Sequence, residues 1–170
     1  MHLRHLHISS DLSHGDCSGS TLRAVCEFRL PRGHLSGCPP DWLDLDARCY
    51  MLVTAPLAFH AADQHCRQLA KGSRLGQPTE EGVHTILAAH AAHTGTTGHV
   101  WVGVYDEVTD GSWQALDRRA WYLEWDASGA HLGPSPTANC AKMAVPSAVA
   151  SVASCEEPLP FVCRLPRRAA

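Results

Sequence analysis

Asparagine and long apolar segments are nearly absent from this sequence. Asn139 is the only asparagine, so the chain has no Asn-X-Ser/Thr acceptor for N-glycosylation and few side-chain amide oxygens for a metal. No run approaches the roughly 18 apolar residues of a membrane-spanning helix, which predicts no membrane segment in this chain. Residues 1–7 have no apolar core of the signal-peptide kind, so we expect the chain to lack its signal peptide.

An excess of one charge is also missing. The 14 lysines and arginines are interspersed with the 17 aspartates and glutamates, and the formal net charge is -3. Since no basic stripe is present to attract nucleic acid or an anionic membrane, neither is expected as a partner. A chain of 170 residues suits one domain with a hydrophobic core and a tail, and is short for two complete domains.

Cysteine, in contrast, is plentiful. An even number of cysteines is typical of an oxidising compartment, which predicts an extracellular protein, either secreted or the ectodomain of a membrane protein. Because this location conflicts with the missing export signal, we interpret the chain as a fragment of a longer protein. Spacing alone leaves the pairing open. The eight cysteines are Cys17, Cys26, Cys38, Cys49, Cys66, Cys140, Cys155 and Cys163.

The residue pattern predicts one α+β domain at residues 37–166, between a tail and linker at 1–36 and a short tail at 167–170. A hairpin opens the domain, two helices follow, and strands with a long irregular loop at residues 114–139 complete it. Helices and strands that are segregated along the chain indicate an α+β layout.

Two segments have helical spacing. The first helix is expected to begin at a Thr54 N-cap with Pro56 in its first turn, and the second at a Thr79 N-cap. The predicted apolar faces are Phe59, Ala62, Cys66 and Leu69 in the first helix, and Val83, Ile86, Leu87 and His90 in the second.

Short motifs in a fixed order carry a family resemblance. Gly37-Cys38-Pro-Pro-Asp-Trp42 comes first, followed by Trp101-Val-Gly-Val104, Gly111-Ser-Trp113, Asn139-Cys140, Cys155 and Phe161-Val-Cys163. Together they resemble the long form of the C-type lectin-like domain over nearly all of residues 38–165. The resemblance implies two helices, a small antiparallel sheet, a long irregular loop and the disulfides Cys38–Cys49, Cys66–Cys163 and Cys140–Cys155.

Sugar-binding members of that family coordinate calcium in the long loop through carboxylates and amides. In this chain the corresponding positions are Gly133, Ser135, Ala138, Ser151 and Val152, and none of them is a carboxylate. Because calcium takes about six to eight oxygens, several of them charged, we expect no calcium at the primary sugar site and no cofactor. Calcium-dependent carbohydrate binding is the alternative function.

An accessory calcium site of the family has a remnant here. Asp106 and Asp110 match the two acidic ligands of that site, whereas its other positions hold Pro136 and Asn139. Calcium binding at this place would be weak, and a solvated acidic turn is the simpler interpretation.

Enzyme chemistry has little support. His90 and His93 share a helical face, but no spacing typical of a zinc site supplies further ligands. A thiol enzyme would need a free cysteine, and no nucleophile elbow or phosphate-binding loop is present. We therefore predict a binding module and keep a zinc-dependent or thiol enzyme as the alternative from another class.

The expected ligand-binding residues are Arg118, Arg119, Trp121 and Tyr122 in the long loop, residue types enriched at interface hot spots. Trp113 and Trp125 match positions that pack the base of the loop. The predicted partner is a protein ligand, or a glycan bound without calcium.

Residues 17–28 resemble the end of a preceding lectin-like domain, because Leu22 to Phe28 parallels Leu159 to Leu165. A tandem C-type lectin parent would follow, and a simple extra hairpin is the alternative. Within this chain Cys17 and Cys26 would pair with each other, stay free or cross-link two chains.

Overall fold

A computed structural model describes residues 37–167 of the chain. Its helices are α1 (Phe59–Leu69) and α2 (Glu81–His93), with a short 3-10 helix at Ala130–Leu132. Its strands are β1 (Leu43–Leu45), β2 (Arg48–Leu57), β3 (Arg74–Leu75), β4 (Gly98–Tyr105), β5 (Gln114–Ala115), β6 (Cys140–Val145), β7 (Ala150–Ala153) and β8 (Leu159–Pro166). The α+β prediction is confirmed. The predictions for residues 1–36 and 168–170, including Cys17 and Cys26, lie outside the described residues.

The strands form one sheet in the order β1-β2-β8-β4-β6-β7, with β3 beside β8 and β5 beside β4. Most neighbours are antiparallel, but β4 and β8 pair in parallel where Trp101 faces Phe161. The sheet is therefore mixed, whereas the family resemblance implied an antiparallel one. The strand β8 also pairs with β2 along Arg48–Val53, so the first and last long strands of the domain are neighbours.

The first helix begins later than predicted. The strand β2 continues to Leu57, so Thr54 and Pro56 lie in the strand and Thr54 does not cap the helix. The backbone N–H of Phe59 donates instead to the carbonyl of Cys155 at 2.9 Å. A distant loop therefore satisfies the helix start, which no local sequence pattern shows.

The apolar face predicted for the second helix is correct for Val83 and Leu87 and wrong for Ile86. Ile86 is 45% exposed, while His84, Ala88 and Ala91 are buried beside Val83 and Leu87. Thr79 does not cap this helix, since its hydroxyl donates to Asp46 at 3.0 Å. Small alanines therefore occupy part of the buried face of α2, in place of the larger Ile86. Neither helix in residues 37–167 has the length and apolar character needed to cross a bilayer.

Three disulfides hold the domain, and they are the pairs that the family resemblance implied: Cys38–Cys49, Cys66–Cys163 and Cys140–Cys155. The bridge Cys66–Cys163 joins α1 to β8 across 97 residues. In the chain-entropy model a loop of that length stabilises the fold by about 4 to 5 kcal/mol.

The strand β4 packs against α1 and β3. The indole N–H of Trp101 donates to the carbonyl of Leu57 at 2.9 Å, and its ring packs edge-on against Phe59. Two residues on, Gly103 lies against the backbone of Leu75, where a Cβ atom would overlap the carbonyl oxygen. The glycine of the Trp-Val-Gly-Val motif is therefore required by the close approach of β3 and β4.

Asp63 connects α1 to β3. Its buried carboxylate accepts hydrogen bonds from Arg74 Nε at 2.8 Å and from the backbone N–H of Leu75 at 3.0 Å, and it also pairs with Arg67. Burial alone would raise the pKa of Asp63, but these hydrogen bonds and the two guanidinium charges outweigh it and hold the pKa below its usual range.

Candidate functional site

The loop predicted at residues 114–139 begins earlier in the structure, because β4 ends at Tyr105 and β6 starts at Cys140. We call residues 106–139, which include the two-residue strand β5 and the short 3-10 helix, the long loop from here on. Backbone hydrogen bonds fasten it to the rest of the domain at three places outside the β4–β5 pairing. Leu116 N donates to Gly103 O at 3.0 Å, Tyr122 N to Pro78 O at 3.0 Å, and Asp126 N to Ala150 O at 2.8 Å. An irregular loop with anchors on β4, β7 and the segment before α2 can present side chains in fixed positions.

Aromatic rings fill the base of the long loop. Trp113 and Trp125 lie 4.8 Å apart between ring centroids, and Trp125 stacks on His131 at 4.7 Å. The indole N–H of Trp113 donates to the carbonyl of His131 at 2.7 Å. Trp121 meets Trp125 edge-on at 6.5 Å. The three tryptophans of this cluster pack against the hydrophobic core that includes Val83 and Leu87 of α2, so they connect the loop to the core.

A partly buried ion pair joins the loop to β8. The Asp117 carboxylate accepts from the Arg164 guanidinium, from Gln77 Nε2 at 2.6 Å and from the backbone N–H of Arg119 at 3.0 Å. Gln77 is fully buried and Arg164 is 4% exposed. Sequence reasoning missed this arrangement because Asp117 lies 40 residues from Gln77 and 47 from Arg164.

The four predicted binding residues, Arg118, Arg119, Trp121 and Tyr122, follow directly after Asp117, and we call them the Arg-aromatic face. Arg118 and Arg119 are exposed, whereas Trp121 and Tyr122 are half-buried. Arg118 has a left-handed backbone (φ 59°), which turns the chain at this point. No described residue forms a salt bridge with Arg118, and Arg119 is 4.0 Å from Asp117 at its Nε atom. Within five consecutive residues, the loop therefore carries two exposed arginines and two half-buried aromatic residues whose rings contact Trp125 and His84.

Tyr122 rests on a buried histidine that sequence reasoning assigned no role. The rings of Tyr122 and His84 meet edge-on at 5.7 Å. His84 is 1% exposed, and neither of its ring nitrogens has a hydrogen-bond partner among residues 37–167. Burial lowers the pKa of His84, although Glu81 opposes this effect. A neutral imidazole therefore supports Tyr122 from inside.

The positions of the primary calcium site carry no carboxylate in this chain. The Ser135 hydroxyl accepts from the backbone N–H groups of Ala138 at 3.0 Å and Thr137 at 3.4 Å, so it closes a turn of the loop. Ala138 and Val152 offer no side-chain oxygen, and Ser151 has only a neutral hydroxyl. These residues do not fit a calcium ion, which needs about six to eight oxygens with several negative charges.

The acidic turn of the accessory site is built around Asp106. Its side chain is 1% exposed, and Oδ2 accepts from the backbone N–H of Gly111 at 2.8 Å. With its amide oriented to satisfy its neighbours, Asn139 donates to Oδ1 of Asp106 at 3.3 Å and to the carbonyl of Ser135 at 2.7 Å. Burial raises the pKa of Asp106, Gly111 lowers it in part, and nearby Asp110 raises it further.

Both oxygens of Asp106 thus hold the loop in place, while Asp110 is exposed to solvent. Asp106 and Asp110 supply only two carboxylates, and the oxygens of Asp106 already accept hydrogen bonds, whereas calcium prefers about six to eight oxygen ligands.

A second group of possible metal ligands consists of His60, Glu107 and Cys155, which lie close enough together to hold a metal. The Cys155 sulfur, however, is bonded to Cys140, and His60 Nε2 pairs with Glu107 at 2.7 Å. Of the zinc candidates, His90 is half-buried and His93 exposed on α2.

A family model described as the lectin C-type domain matches residues 55–165. The chain belongs to the C-type lectin domain family. The lectin domain is 33% identical to the C-type lectin PAL of Bitis arietans over 94 residues, which cover 54% of this chain and 69% of that relative.

Solved structures show the same fold. Human lithostathine aligns with 76% of this chain and 99% of its own length, at a TM-score of 0.67 and 21% identity. The carbohydrate-recognition domain of mouse scavenger receptor C-type lectin aligns with 78% of this chain and 99% of its own, at a TM-score of 0.65 and 24% identity. At these identities the likeness concerns the fold of the lectin domain and not its ligand.

Proposed function

We propose that this lectin domain is an extracellular recognition module that binds a protein ligand, without calcium, through the Arg-aromatic face. Membership of the C-type lectin family gives the general role, a binding module. The observation that carries the finer proposal is the pair of exposed arginines, Arg118 and Arg119, which lie within a few residues of Trp121 and Tyr122 and directly follow Asp117, the partner of Arg164.

Calcium independence is supported by the loop itself. The polar groups that remain near the family's calcium positions are used internally, since Ser135 closes a turn and Asp106 holds Gly111 and Asn139. A cation would have to replace these hydrogen bonds and would gain little charge in return. The domain therefore keeps the loop conformation through protein hydrogen bonds in place of a metal.

A protein ligand suits the chemistry of the Arg-aromatic face. Tryptophan, tyrosine and arginine are the residues most enriched at interface hot spots. The two guanidinium groups can form bidentate contacts with carboxylates, so an acidic partner surface is favoured. Trp121 and Tyr122 are anchored by ring contacts with Trp125 and His84, so little side-chain freedom is lost when a partner covers them.

Extracellular placement is supported by the three disulfides, because such bridges persist in oxidising compartments and are rare in the cytosol. The same bridges argue against a thiol enzyme, since all six cysteines of the described domain are paired. We propose no catalytic activity for the lectin domain.

An array of purified extracellular proteins and glycans, probed with the full chain in calcium buffer and again in chelator, tests this proposal. We expect at least one protein to bind equally in both buffers, and Arg118→Ala with Arg119→Ala to weaken that binding at least about tenfold. Lys71→Ala, an exposed cation after α1, is the matched control and should leave binding unchanged. Binding to glycans alone would contradict the protein-ligand assignment, and chelator-sensitive binding would contradict calcium independence.

A further inference from the structure

The solvent-facing side of helix α2 carries no charge between its two ends. Every exposed residue from the second position of the helix to the ninth is uncharged, and Ile86 among them is 45% exposed. Their spacing places these residues on one stripe of the helix, which we call the outer face of α2. The outer face consists of Gly82, Thr85, Ile86 and Ala89, with Glu81 and His93 at its two ends.

The contrast with α1 shows what is missing from the outer face of α2. The exposed residues of α1 include Gln64 and Arg67, which give that helix the polar side usual at a surface. In α2 the buried side holds Val83 and Leu87, and the opposite side is uncharged as well. A helix without a polar side is typical of one that packs against neighbours on both sides. No element of residues 37–167 covers the outer face, so one of its two sides is open in the described domain.

The shape of the outer face restricts what can pack on it. Ile86 is its one large side chain, and Gly82 and Ala89 on either side of it are small. No atom lies within 4 Å of a Cβ atom added at Gly82, so the surface there is open. Small residues allow a second helix to come within the short end of the roughly 8 to 10 Å range of interaxial distances. The matching helix must offer a small residue opposite Ile86 and a large one opposite Ala89.

A second copy of α2 meets this requirement when it packs antiparallel about a two-fold axis. With the axis near the middle of the helix, Ile86 of each copy lies opposite Ala89 of the other. The same register places Gly82 opposite His93. A two-fold axis makes these contacts twice, because each copy offers the same surface to the other.

The ends of the outer face are complementary in the same arrangement. Glu81 stands in the first turn of α2, and His93 is its last residue. Antiparallel packing brings Glu81 of one copy next to His93 of the second copy, and an imidazole can donate a hydrogen bond to a carboxylate in either protonation state. It also places the positive end of one helix dipole beside the negative end of the other. Both the size pattern and the polar ends therefore favour a second copy of this chain.

We propose that the outer face of α2 is a homodimer interface, at which the α2 helices of two copies pack antiparallel. The 13 residues of α2 span about 20 Å, so this face is smaller than the roughly 800 Å² per partner of a standard interface. The dimer is therefore weak and reversible, with a dissociation constant of about 10 to 500 µM. One consequence rests on the function proposed above: two Arg-aromatic faces in one dimer raise the avidity for a clustered ligand.

Sedimentation equilibrium of the full chain at concentrations from about 5 to 500 µM tests the proposal. Every protein in the experiment carries Cys17→Ser with Cys26→Ser, so that a disulfide between chains at these positions cannot produce a dimer. We expect the average mass to rise with concentration from that of one chain towards that of two. Ile86→Glu places a charge at the centre of the interface and should weaken association at least about tenfold.

Leu69→Glu is the matched control, because Leu69 is 43% exposed at the end of α1 and should leave association unchanged. Ala89→Trp adds bulk at an exposed position, where it collides with Ile86 of the second copy, so it should prevent association. Thermal unfolding of each variant shows that it is folded.

An exchange of the two end residues tests the antiparallel register. Glu81→His and His93→Glu should each weaken association about three- to fivefold, because like groups then meet across the interface. The two substitutions together should restore it, since the pair is then reversed. A purely structural effect on one chain would not be rescued in this way.

The proposal is overturned if the chain stays monomeric over the whole concentration range, which would mean that another part of the chain or a different protein covers the outer face. It is also overturned if Ile86→Glu and Ala89→Trp associate as tightly as the parent, or if Leu69→Glu weakens association as much as Ile86→Glu. Arg118→Ala with Arg119→Ala should leave association unchanged, so failure of the dimer and failure of the Arg-aromatic face are seen separately.

Discussion

The Arg164 guanidinium, on the last strand β8, donates to the Asp117 carboxylate in the long loop and connects the core of the sheet to the loop that carries the Arg-aromatic face. Arg164 has a 5% exposed side chain and Asp117 an 18% exposed one, so water screens the pair only partly. Removing one partner of a buried pair leaves the other charge uncompensated.

Asp117→Asn should therefore lower the free energy of unfolding by about 3 kcal/mol, with a loss of order at the neighbouring arginines. Urea denaturation followed by tryptophan fluorescence measures this change. Asp44→Asn is the control, because Asp44 pairs with Arg167 at 3.6 Å at the surface and its loss should cost less than about 1 kcal/mol. Equal effects of the two substitutions would show that Asp117 does not support the loop.

Asp63 makes stability depend on pH in the acid range. Its pKa in the folded domain lies below the usual value, so the folded state binds fewer protons than the unfolded chain as the pH falls. The stabilisation is complete above the unfolded pKa of 3.8 and is lost as the pH falls through the folded pKa.

We expect Asp63→Asn to lower the free energy of unfolding by about 2 to 4 kcal/mol at neutral pH, because Arg74 and Arg67 lose their partner. This difference should shrink as the pH is lowered below 3.8. Urea denaturation of both proteins at a series of pH values measures it. A difference that stays constant down to the lowest pH would rule out Asp63 as the titrating group.

Gly103 permits the close packing of β3 on β4. Gly103→Ala would place a Cβ atom against the carbonyl of Leu75, where backbone and not a flexible side chain must move. We expect a loss of at least about 3 kcal/mol in the free energy of unfolding, or failure to fold.

Gly82→Ala is the matched control for Gly103→Ala, because no atom lies within 4 Å of its added Cβ and it stands in helix α2. It should stabilise the domain by about 0.5 to 1 kcal/mol. Thermal unfolding of both variants checks the opposite signs. A mild effect of Gly103→Ala would mean that β3 is not held tightly on β4.

The disulfides Cys66–Cys163 and Cys38–Cys49 should differ in their contribution to stability. Cys66–Cys163 closes 97 residues and Cys38–Cys49 only 11, so the chain-entropy model gives about 4.7 and about 3 kcal/mol. Pairwise alanine substitution of each bridge, followed by denaturant unfolding, should reproduce this order. The reverse order would indicate that the β1–β2 hairpin, and not the bridge from α1 to β8, limits the stability of the domain.

The family and the fold class could be predicted from the sequence, because they depend on the order of the cysteines and on short motifs. The cysteine order and Trp101-Val-Gly-Val104 led to the family, and the α+β class is confirmed. Features that depend on contacts between residues far apart in the sequence could not be predicted. Phe59 receives its cap from Cys155, and Ile86 faces solvent because alanines occupy the buried face of α2.

The same division applies to the candidate site. The exposed arginines and half-buried aromatic residues of the long loop could be proposed from residue type alone. The buried contacts that fix them, Asp117 with Arg164 and Tyr122 with His84, join residues 47 and 38 positions apart in the sequence. Neither hydrophobic periodicity nor a short sequence motif indicates such contacts, so they could be found only in the structure.

A calorimetric calcium titration of the full chain tests the proposal that this lectin domain recognises its ligand without calcium. We predict no saturable calcium binding with micromolar affinity, and a melting temperature that is the same in calcium and in chelator. Saturable binding with micromolar affinity, together with a melting temperature that rises with calcium concentration, would contradict calcium independence.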